Sequence, residues 1–321
     1  MRNRMNQHFD ISAVITTYNR SEMLAKALEA VLSQESGGVS YEVVVVDNNS
    51  TDNTRETVEG FIAKGHDNLR YVFEPKQGIA HGRNAGVAAA QGDIIAFTDD
   101  DVVVTGNWIA TIKRALDENP DVDFIGGKIL PEWLEPPPKW LTVDHWWPLA
   151  LLDRGDNRFY VNASNPLCLP TANASFRREV FSRTELFSPE FSGREDYEFF
   201  VRLWQEGGQG LYVPELVVIA RVQPERLSRS YHRRWNVMTG KFNSLMRLDE
   251  ITAPDGSLMK ERPRTVKLFG VPGFMYREFV SEGLAWLRQS VFGDHSSKLR
   301  HENRLCYLAG YMSKRFRKGT E

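Results

Sequence analysis

Apolar positions in the first 130 residues alternate between two periods. Residues 11–16 form a compact apolar run of strand length, and Leu24, Ala27, Leu28, Val31 and Leu32 then recur at helical spacing. Residues 41–46 hold four consecutive valines, a second strand that stops in Asp47-Asn-Asn-Ser-Thr-Asp52. Those side chains hydrogen-bond nearby backbone and so favour turns and caps. The same rhythm predicts a helix over 52–63, a strand over 69–73, an Ala-rich helix over 82–91 and a strand over 94–97 running into Asp99-Asp100-Asp101. A helix over 108–116 and a strand over 123–129 follow. Alternation of this kind predicts an α/β fold with a mostly parallel central sheet and helices on both faces. Ligands in such sheets sit at the carboxyl ends of the strands, so the polar clusters after strands one, two and four should share one crevice.

The rhythm breaks at Pro131. Residues 131–148 hold five prolines and four tryptophans, which excludes a regular element. The segment reads either as an irregular packed wall or as a loop whose aromatic faces receive an acceptor. Beyond it, strands are expected over 167–176 and 211–220, and helices over 196–205, 224–248 and 274–291, with a break at 270–273. These limits divide the chain into residues 1–130, residues 131–235 and a helical basic extension over 236–321. No apolar run reaches the ~18–20 residues of a membrane span, and the first ten residues lack a signal peptide's apolar stretch. Two cysteines, Cys168 and Cys306, exclude a disulfide scaffold and a Cys-rich zinc module and fit a reducing compartment. Net charge is only −2, yet residues 260–321 carry 13 Lys+Arg against 6 Asp+Glu. A basic tail on an acidic body suits an anionic partner, or is simply solvated.

Four segments carry candidate chemistry. In extended backbone Asp99 and Asp101 share a face opposite Asp100, and adjacent carboxylates repel unless a hard divalent cation lies between them. The alternative is a solvated acidic turn. Asp47 could accept hydrogen bonds from a base or ribose, or could hold a turn. Gly78-Ile-Ala-His-Gly-Arg-Asn-Ala-Gly86 fits neither the dinucleotide fingerprint nor a Walker loop. Its glycines either expose N–H groups to an anion beside Arg83 or permit a close helix–sheet contact. In Ser192-Gly-Arg-Glu-Asp196, Glu195 and Asp196 stand at a helix start, where the helix dipole alone favours carboxylates.

Taken in order, these segments resemble the family 2 glycosyltransferases, inverting nucleotide-sugar enzymes of the GT-A fold. Ala13-Val-Ile-Thr-Thr-Tyr-Asn-Arg20, Val43-Val-Val-Val-Asp-Asn-Asn-Ser-Thr-Asp52, Gly82-Arg-Asn-Ala-Gly86, Asp99-Asp100-Asp101 and Gly193-Arg-Glu-Asp196 carry the resemblance, spread over residues 11–205. It implies a Rossmann-like nucleotide-sugar-binding half over 1–130, an acceptor-binding and catalytic-base half over 131–235, and a nucleoside-diphosphate sugar donor, UDP by default. Thr17, Tyr18 and Arg20 would flank the base and Asp47 contact it. Arg83 and Asn84 would lie near ribose or diphosphate. Asp99, with Asp100 and Glu195, would belong to the donor site. Asp101 would ligate Mn²⁺ or Mg²⁺, and Asp196 would deprotonate the acceptor hydroxyl. One departure stands out: Ala220 occupies the place where many relatives carry a His, so that either metal coordination is thinner or Arg221 takes the diphosphate charge instead. Tyr231-His-Arg-Arg-Trp235 matches only the end of the processive synthases' motif, so processive polymer synthesis is not expected.

The resemblance implies a carbohydrate, lipid-linked or small-molecule acceptor in polysaccharide or glycolipid assembly for the cell envelope. It also implies a cytoplasmic location, peripheral at the inner face of the membrane. The two competing readings are a nucleotidyltransferase, which would carry a Gly-rich phosphate loop that Ile15-Thr-Thr-Tyr-Asn19 lacks, and a non-catalytic nucleotide-sugar-binding protein. In the tail, Arg277, Arg288, Arg300, Arg304, Lys314, Arg315, Arg317 and Lys318 interleave with aromatic and aliphatic residues. This pattern fits either packing on protein or peripheral membrane contact. An Asp-rich crevice argues against nucleic acid.

Overall fold

The computed structural model describes residues 8–191, 193–259 and 266–316. Ser192, Lys260, Arg317 and Lys318 therefore lie outside the described residues. The chain divides into two compact units. One comprises residues up to 131 with 152–221, and the other comprises 132–151 with 222 onward. The proline- and tryptophan-rich stretch thus groups with the C-terminal helices.

The first unit is built on a nine-stranded sheet. Its parallel part is β1 (Phe9–Thr17), β2 (Tyr41–Asp47), β3 (Leu69–Phe73) and β4 (Gly92–Asp99), in the order β3-β2-β1-β4. The valines of β2 and most of β1 are fully buried, as expected for strands covered on both faces. Helices α1 (Ser21–Leu32), α2 (Thr54–Ala63) and α3 (Ile79–Ala89) make the crossovers. Beyond β4 antiparallel pairs enter the sheet. After β5 (Val102–Val104) and α4 (Trp108–Glu118) come β6 (Phe124–Trp133), β7 (Phe159–Val161), β8 (Asn173–Arg177), the short α5 (Val180–Arg183), α6 (Glu195–Gln205) and β9 (Gly210–Val222). Strand β8 pairs antiparallel with both β4 and β6, and β9 with β5 and β7. β6 also lies beside β9 in the sheet, and the Asp123 N–H donates to the Gln209 carbonyl at 2.7 Å where the two strands begin. The strand expected over 167–176 begins only at Asn173, because Pro166 and Pro170 lack the N–H a ladder needs. An aromatic cluster of Phe97, Phe124, Phe176, Phe181, Phe187, Phe199 and Phe200 fills the space between β4, β6, β8 and α6. It buries the apolar side of α6 and fixes where that helix begins.

In the second unit, residues 132–151 form two short 3₁₀ turns rather than a regular element. The Tyr231 hydroxyl donates to the Pro148 carbonyl at 3.1 Å, and Trp140 stands edge-on to His232. Both contacts tie this stretch to α7 (Arg229–Met246). The helix expected from Pro224 starts five residues later, where Ser228 accepts the Tyr231 N–H as its cap. The short α8 (Leu248–Ile251), a hairpin of β10 (Lys267–Leu268) and β11 (Val271–Pro272), α9 (Gly273–Phe292) and α10 (His295–Phe316) complete the unit. The 22-residue α10 falls within the extension expected to be helical, although periodicity set no limits for it. It packs backbone to backbone on α7: a Cβ on Gly240 would lie 2.0 Å from the Tyr307 carbonyl, and one on Gly310 2.1 Å from that of Val237. No helix among the described residues is long and apolar enough to cross a membrane.

Candidate active site

The parallel register brings the polar strand ends together. Thr17 pairs with Asp47 across β1 and β2, and Thr16 pairs with Asp99 across β1 and β4. The clusters after strands one, two and four therefore meet at one edge of the sheet, as the topology requires.

Extended backbone ends at Asp99, and Asp100 and Asp101 lie in a turn. The expected alternation, with Asp99 and Asp101 on one face and Asp100 opposed, therefore fails. Asp100 is buried, accepts the Thr17 hydroxyl at 2.8 Å and accepts Arg20 Nη1 at 3.0 Å. Asp101 reaches the same guanidinium nitrogen at 3.4 Å. Asp99 instead turns toward Arg83, at 3.8 Å. Burial pushes the Asp100 carboxyl up to about 6 despite the facing Arg20. Asp99 is also displaced upward, first by the packed protein around it and then by Asp101 and Asp196, with Arg83 opposing. It keeps 36 % of its side chain exposed, so water moderates the effect.

Arg83 is buried on α3 and forms a tight ion pair with Glu195 at the first position of α6. The second Glu195 oxygen accepts the Gly193 N–H at 2.6 Å. Burial raises the Glu195 carboxyl above its ordinary range, while Arg83 opposes that displacement. Asp196 is half-buried beside this pair, and its Oδ1 accepts the Tyr197 N–H at 2.7 Å. Cys168, also buried, lies close enough to feel Asp196, Arg194 and Arg83, and desolvation holds its thiol well above the usual range. Both cysteines are free thiols.

The remaining expected residues divide by where their polar atoms point. Tyr18 is exposed at the end of β1. Asp47 is buried with both oxygens engaged, Oδ1 by the Ser50 N–H at 2.8 Å and Oδ2 by the Tyr71 hydroxyl at 2.7 Å. Desolvation and that carboxylate push the Tyr71 phenol upward. Asn84 gives its amide to backbone: Nδ2 donates to the Phe187 carbonyl at 2.9 Å, and Oδ1 accepts the Phe187 N–H at 3.0 Å. It thereby clamps α3 to the loop before α6. Gly82 and Gly86 lie inside α3 rather than at its start, and added Cβ atoms would stand 2.3 Å from Thr16 Cγ2 and Val14 Cγ1. These glycines serve a close helix–sheet contact. Tyr71 and Phe187 were absent from the sequence reading. Tyr71 carries a usable signal, since β3 runs parallel to β2 and sets its side chains beside Asp47.

Hard carboxylate oxygens on Asp99 and Asp101 suit Mg²⁺ or Mn²⁺. No group of three or more His, Cys, Asp or Glu suited to a metal occurs among the described residues. Such ions, however, commonly take one or two carboxylates and complete their shell with substrate phosphate. The Arg20 guanidinium at Asp101 shows that this edge already accommodates a positive charge. Ala220 pairs with Val102, directly after the acidic turn, and the Arg221 N–H donates to the Asp101 carbonyl at 2.9 Å.

Comparison with known proteins adds to this geometry. A sequence profile described as "Glycosyl transferase family 2" matches residues 12–184, more than half of the chain. A glucosyl-dolichyl phosphate glucuronosyltransferase of Haloferax volcanii is 29% identical over 173 residues, 53% of this chain and 53% of that one. The chain thus spans about half the length of that relative. A mannosyltransferase from Pyrobaculum calidifontis, solved in complex with GDP-Man and Mn²⁺, superposes with a TM-score of 0.59 at 18% identity. That match covers 96% of this chain and 87% of the other. S. aureus TarS 1-349 in complex with UDP gives a TM-score of 0.54 at 19% identity, covering 97% and 92%. The fold is that of these glycosyltransferases, the GT-A fold expected from the sequence.

Proposed function

The chain belongs to glycosyl transferase family 2, and on that premise we propose that it moves a sugar from a nucleoside-diphosphate sugar to an acceptor hydroxyl by a single, inverting displacement. One observation carries the reading. Asp99, Asp101, Arg20, Arg83 and the Glu195–Asp196 pair converge at one end of the sheet, and the Arg83–Glu195 pair alone joins segments 112 residues apart in sequence. UDP is the favoured donor nucleotide, in line with the UDP complex of TarS, and GDP is the alternative the mannosyltransferase complex supplies.

In this reading the acceptor oxygen bonds to the anomeric carbon as the bond to the diphosphate breaks, and the electron pair leaves with the diphosphate. Asp196 takes the acceptor proton at its free carboxylate oxygen. Glu195 neutralises Arg83 and holds its guanidinium in place, so that Arg83 faces the diphosphate together with Arg20 and Arg221. Asp47 keeps the turn after β2 closed and offers its remaining lone pairs to the base, with Tyr18 alongside. Thr17 fixes Asp100 and through it the acidic turn. Asn84 acts by positioning the loop before α6. Asp101, with Asp99 beside it, would hold Mn²⁺ or Mg²⁺, which when bound takes up negative charge on the leaving diphosphate. The acceptor is a carbohydrate, lipid-linked or small-molecule hydroxyl in glycan assembly. The basic C-terminal region gives the protein a peripheral contact with a membrane surface.

Binding and slow hydrolysis of UDP-, GDP- and dTDP-sugars, each with Mn²⁺, Mg²⁺ or EDTA, test this reading. Metal-dependent binding or hydrolysis of one donor is expected. Failure to bind any donor would overturn it in favour of a chain that has lost the activity. Donor binding indifferent to EDTA would remove the metal and leave the charge to Arg20, Arg83 and Arg221.

A further inference from the structure

We infer that the outward face of α9, with the β10–β11 hairpin that leads into it, is an interfacial surface that seats the protein on an anionic lipid bilayer. The inference rests on the peripheral contact proposed above and names its surface. Val280, Leu284, Leu287 and Val291 follow one another at spacings of four, three and four, which places them in a single line along the helix. They are 61%, 64%, 55% and 72% exposed, and Phe292 extends the line at the helix end. An apolar stripe of this kind facing water marks a surface with a partner.

Charge says which partner. Helix α9 holds only two acids, and both are turned toward α10. Glu278 accepts Arg304 Nε at 2.6 Å, and Glu282 meets His301 Nδ1 at 2.7 Å. Arg277 and Arg288 stay exposed on the outward side. Just past the helix, Asp294 is spent on the first turn of α10, accepting the Ser296 and Ser297 N–H groups at 2.8 and 2.9 Å. The outward face of α9 is therefore apolar and cationic, with no acid of its own, which is the composition that binds an anionic interface. A second copy of the chain fits poorly, because a two-fold contact would set these arginines against each other with no carboxylate on the face to pair them.

The hairpin adds an independent observation. Its turn places Phe269 at φ 50° and Gly270 at φ 76°, with Phe269 and Leu268 exposed. A bulky side chain in the left-handed region is unfavourable, and Gly or Asn would suit the backbone better. The tip thus presents two exposed apolar side chains beside the start of α9, in line with a surface that enters an interface. The hairpin runs through Pro272 directly into α9, and the Gly273 N–H closes it on the Val266 carbonyl at 2.9 Å.

The test is co-sedimentation of the full chain with vesicles of phosphatidylcholine alone and of phosphatidylcholine with about 30 % phosphatidylglycerol, at ~0.05 and ~0.5 M salt. Wild type should pellet with the anionic vesicles and be released by salt. Leu284→Glu/Leu287→Glu should lower partitioning by ~10-fold or more, and Arg277→Glu/Arg288→Glu should abolish the preference for anionic lipid. All four side chains are exposed, so unchanged melting is expected in both variants, and the arginine pair decides should the leucine pair fail to fold. Wild type remaining in the supernatant overturns the inference. Undiminished binding by both variants overturns the assignment to α9 while leaving a contact elsewhere on the chain. A dimer that the leucine pair dissociates would give the face to a second copy and overturn the lipid. Donor binding measured on the same samples separates the two proposals, since vesicle binding without donor binding defeats the transferase reading alone.

Discussion

Replacing Gly86 by Ala tests the contact that places Arg83. Gly86 lies in α3 with its Cα against β1 and β2, and a Cβ there would stand 2.3 Å from Val14 Cγ1 and 3.4 Å from Val46 Cγ2. Carbon atoms prefer about 3.5–4.0 Å, so the nearer contact must open by more than an ångström. Val14 and Val46 are fully buried, and a β-branched side chain cannot swing aside, so the helix itself must lift. Overpacking of this kind costs about 1–3 kcal/mol, and the better helix propensity of Ala returns up to about 1 kcal/mol. A net loss of about 1–2 kcal/mol follows, read as a lower urea midpoint at unchanged slope. Donor affinity should fall too, because lifting α3 draws Arg83 away from Glu195 and Asp99. Gly60→Ala is the control: Gly60 is also helical, in α2, with nothing within 4 Å of its added Cβ, so Ala should stabilise by about 0.5–1 kcal/mol. A Gly86→Ala protein that gains stability as Gly60→Ala does, with donor affinity intact, would refute the close contact and the positioning of Arg83 built on it.

Three further outcomes are expected. Asp196→Asn should retain donor binding and lose about 10²–10⁴-fold in transfer, the range for a missing general base, and near-normal turnover would remove Asp196 from that role. In Asp101→Asn, added Mn²⁺ should no longer strengthen donor binding in calorimetry, and a response equal to wild type would place the metal elsewhere. Burial, with His145 next to it, holds the His232 imidazole down to about 4 from its ordinary 6.5. Between those values the unfolded chain binds more protons than the folded one, so stability should rise with pH from about 4 to 6.5 and level off above, by no more than about 2 kcal/mol from this group. His232→Phe should flatten that part of the urea-midpoint profile, and an unchanged slope would show that other groups set it.

The alternation of apolar runs was enough to lay out the parallel half of the sheet, because strands buried on both faces write themselves as continuous valine and isoleucine runs. The strands beyond β4 were harder to read. Strand β8 is five residues long, and its partners β4 and β6 lie far away in sequence, so its direction has no local signature. The limits of helix α10, inside the extension expected to be helical, were illegible for a related reason. Its contact with α7 is made at Gly310 and Gly240, where backbone meets backbone, and small residues contribute little to an apolar period.

The candidate site divides along the same line. Which residue types stand at the strand ends was legible, since carboxylates and asparagines after a valine run are conspicuous. How they point was not. The alternation rule holds only while the backbone stays extended, and it stops at Asp99, where Thr17 and Arg20, about eighty residues away, draw Asp100 and Asp101 to one guanidinium. The two readings of the glycine segment shared one sequence and differed only in where the helix begins. Starting at Ile79 instead of Gly82 turns both glycines from exposed donors into a packing face, which their spacing of four already favoured. The Arg83–Glu195 pair spans 112 residues and depends on two separate events, the seating of α3 on β1 and the anchoring of α6 by the phenylalanine cluster. A site assembled in this way inherits its precision from packing. Changes in the core beneath α3 or α6 should therefore impair donor binding before they unfold the protein, whereas changes at exposed Tyr18 should touch affinity alone.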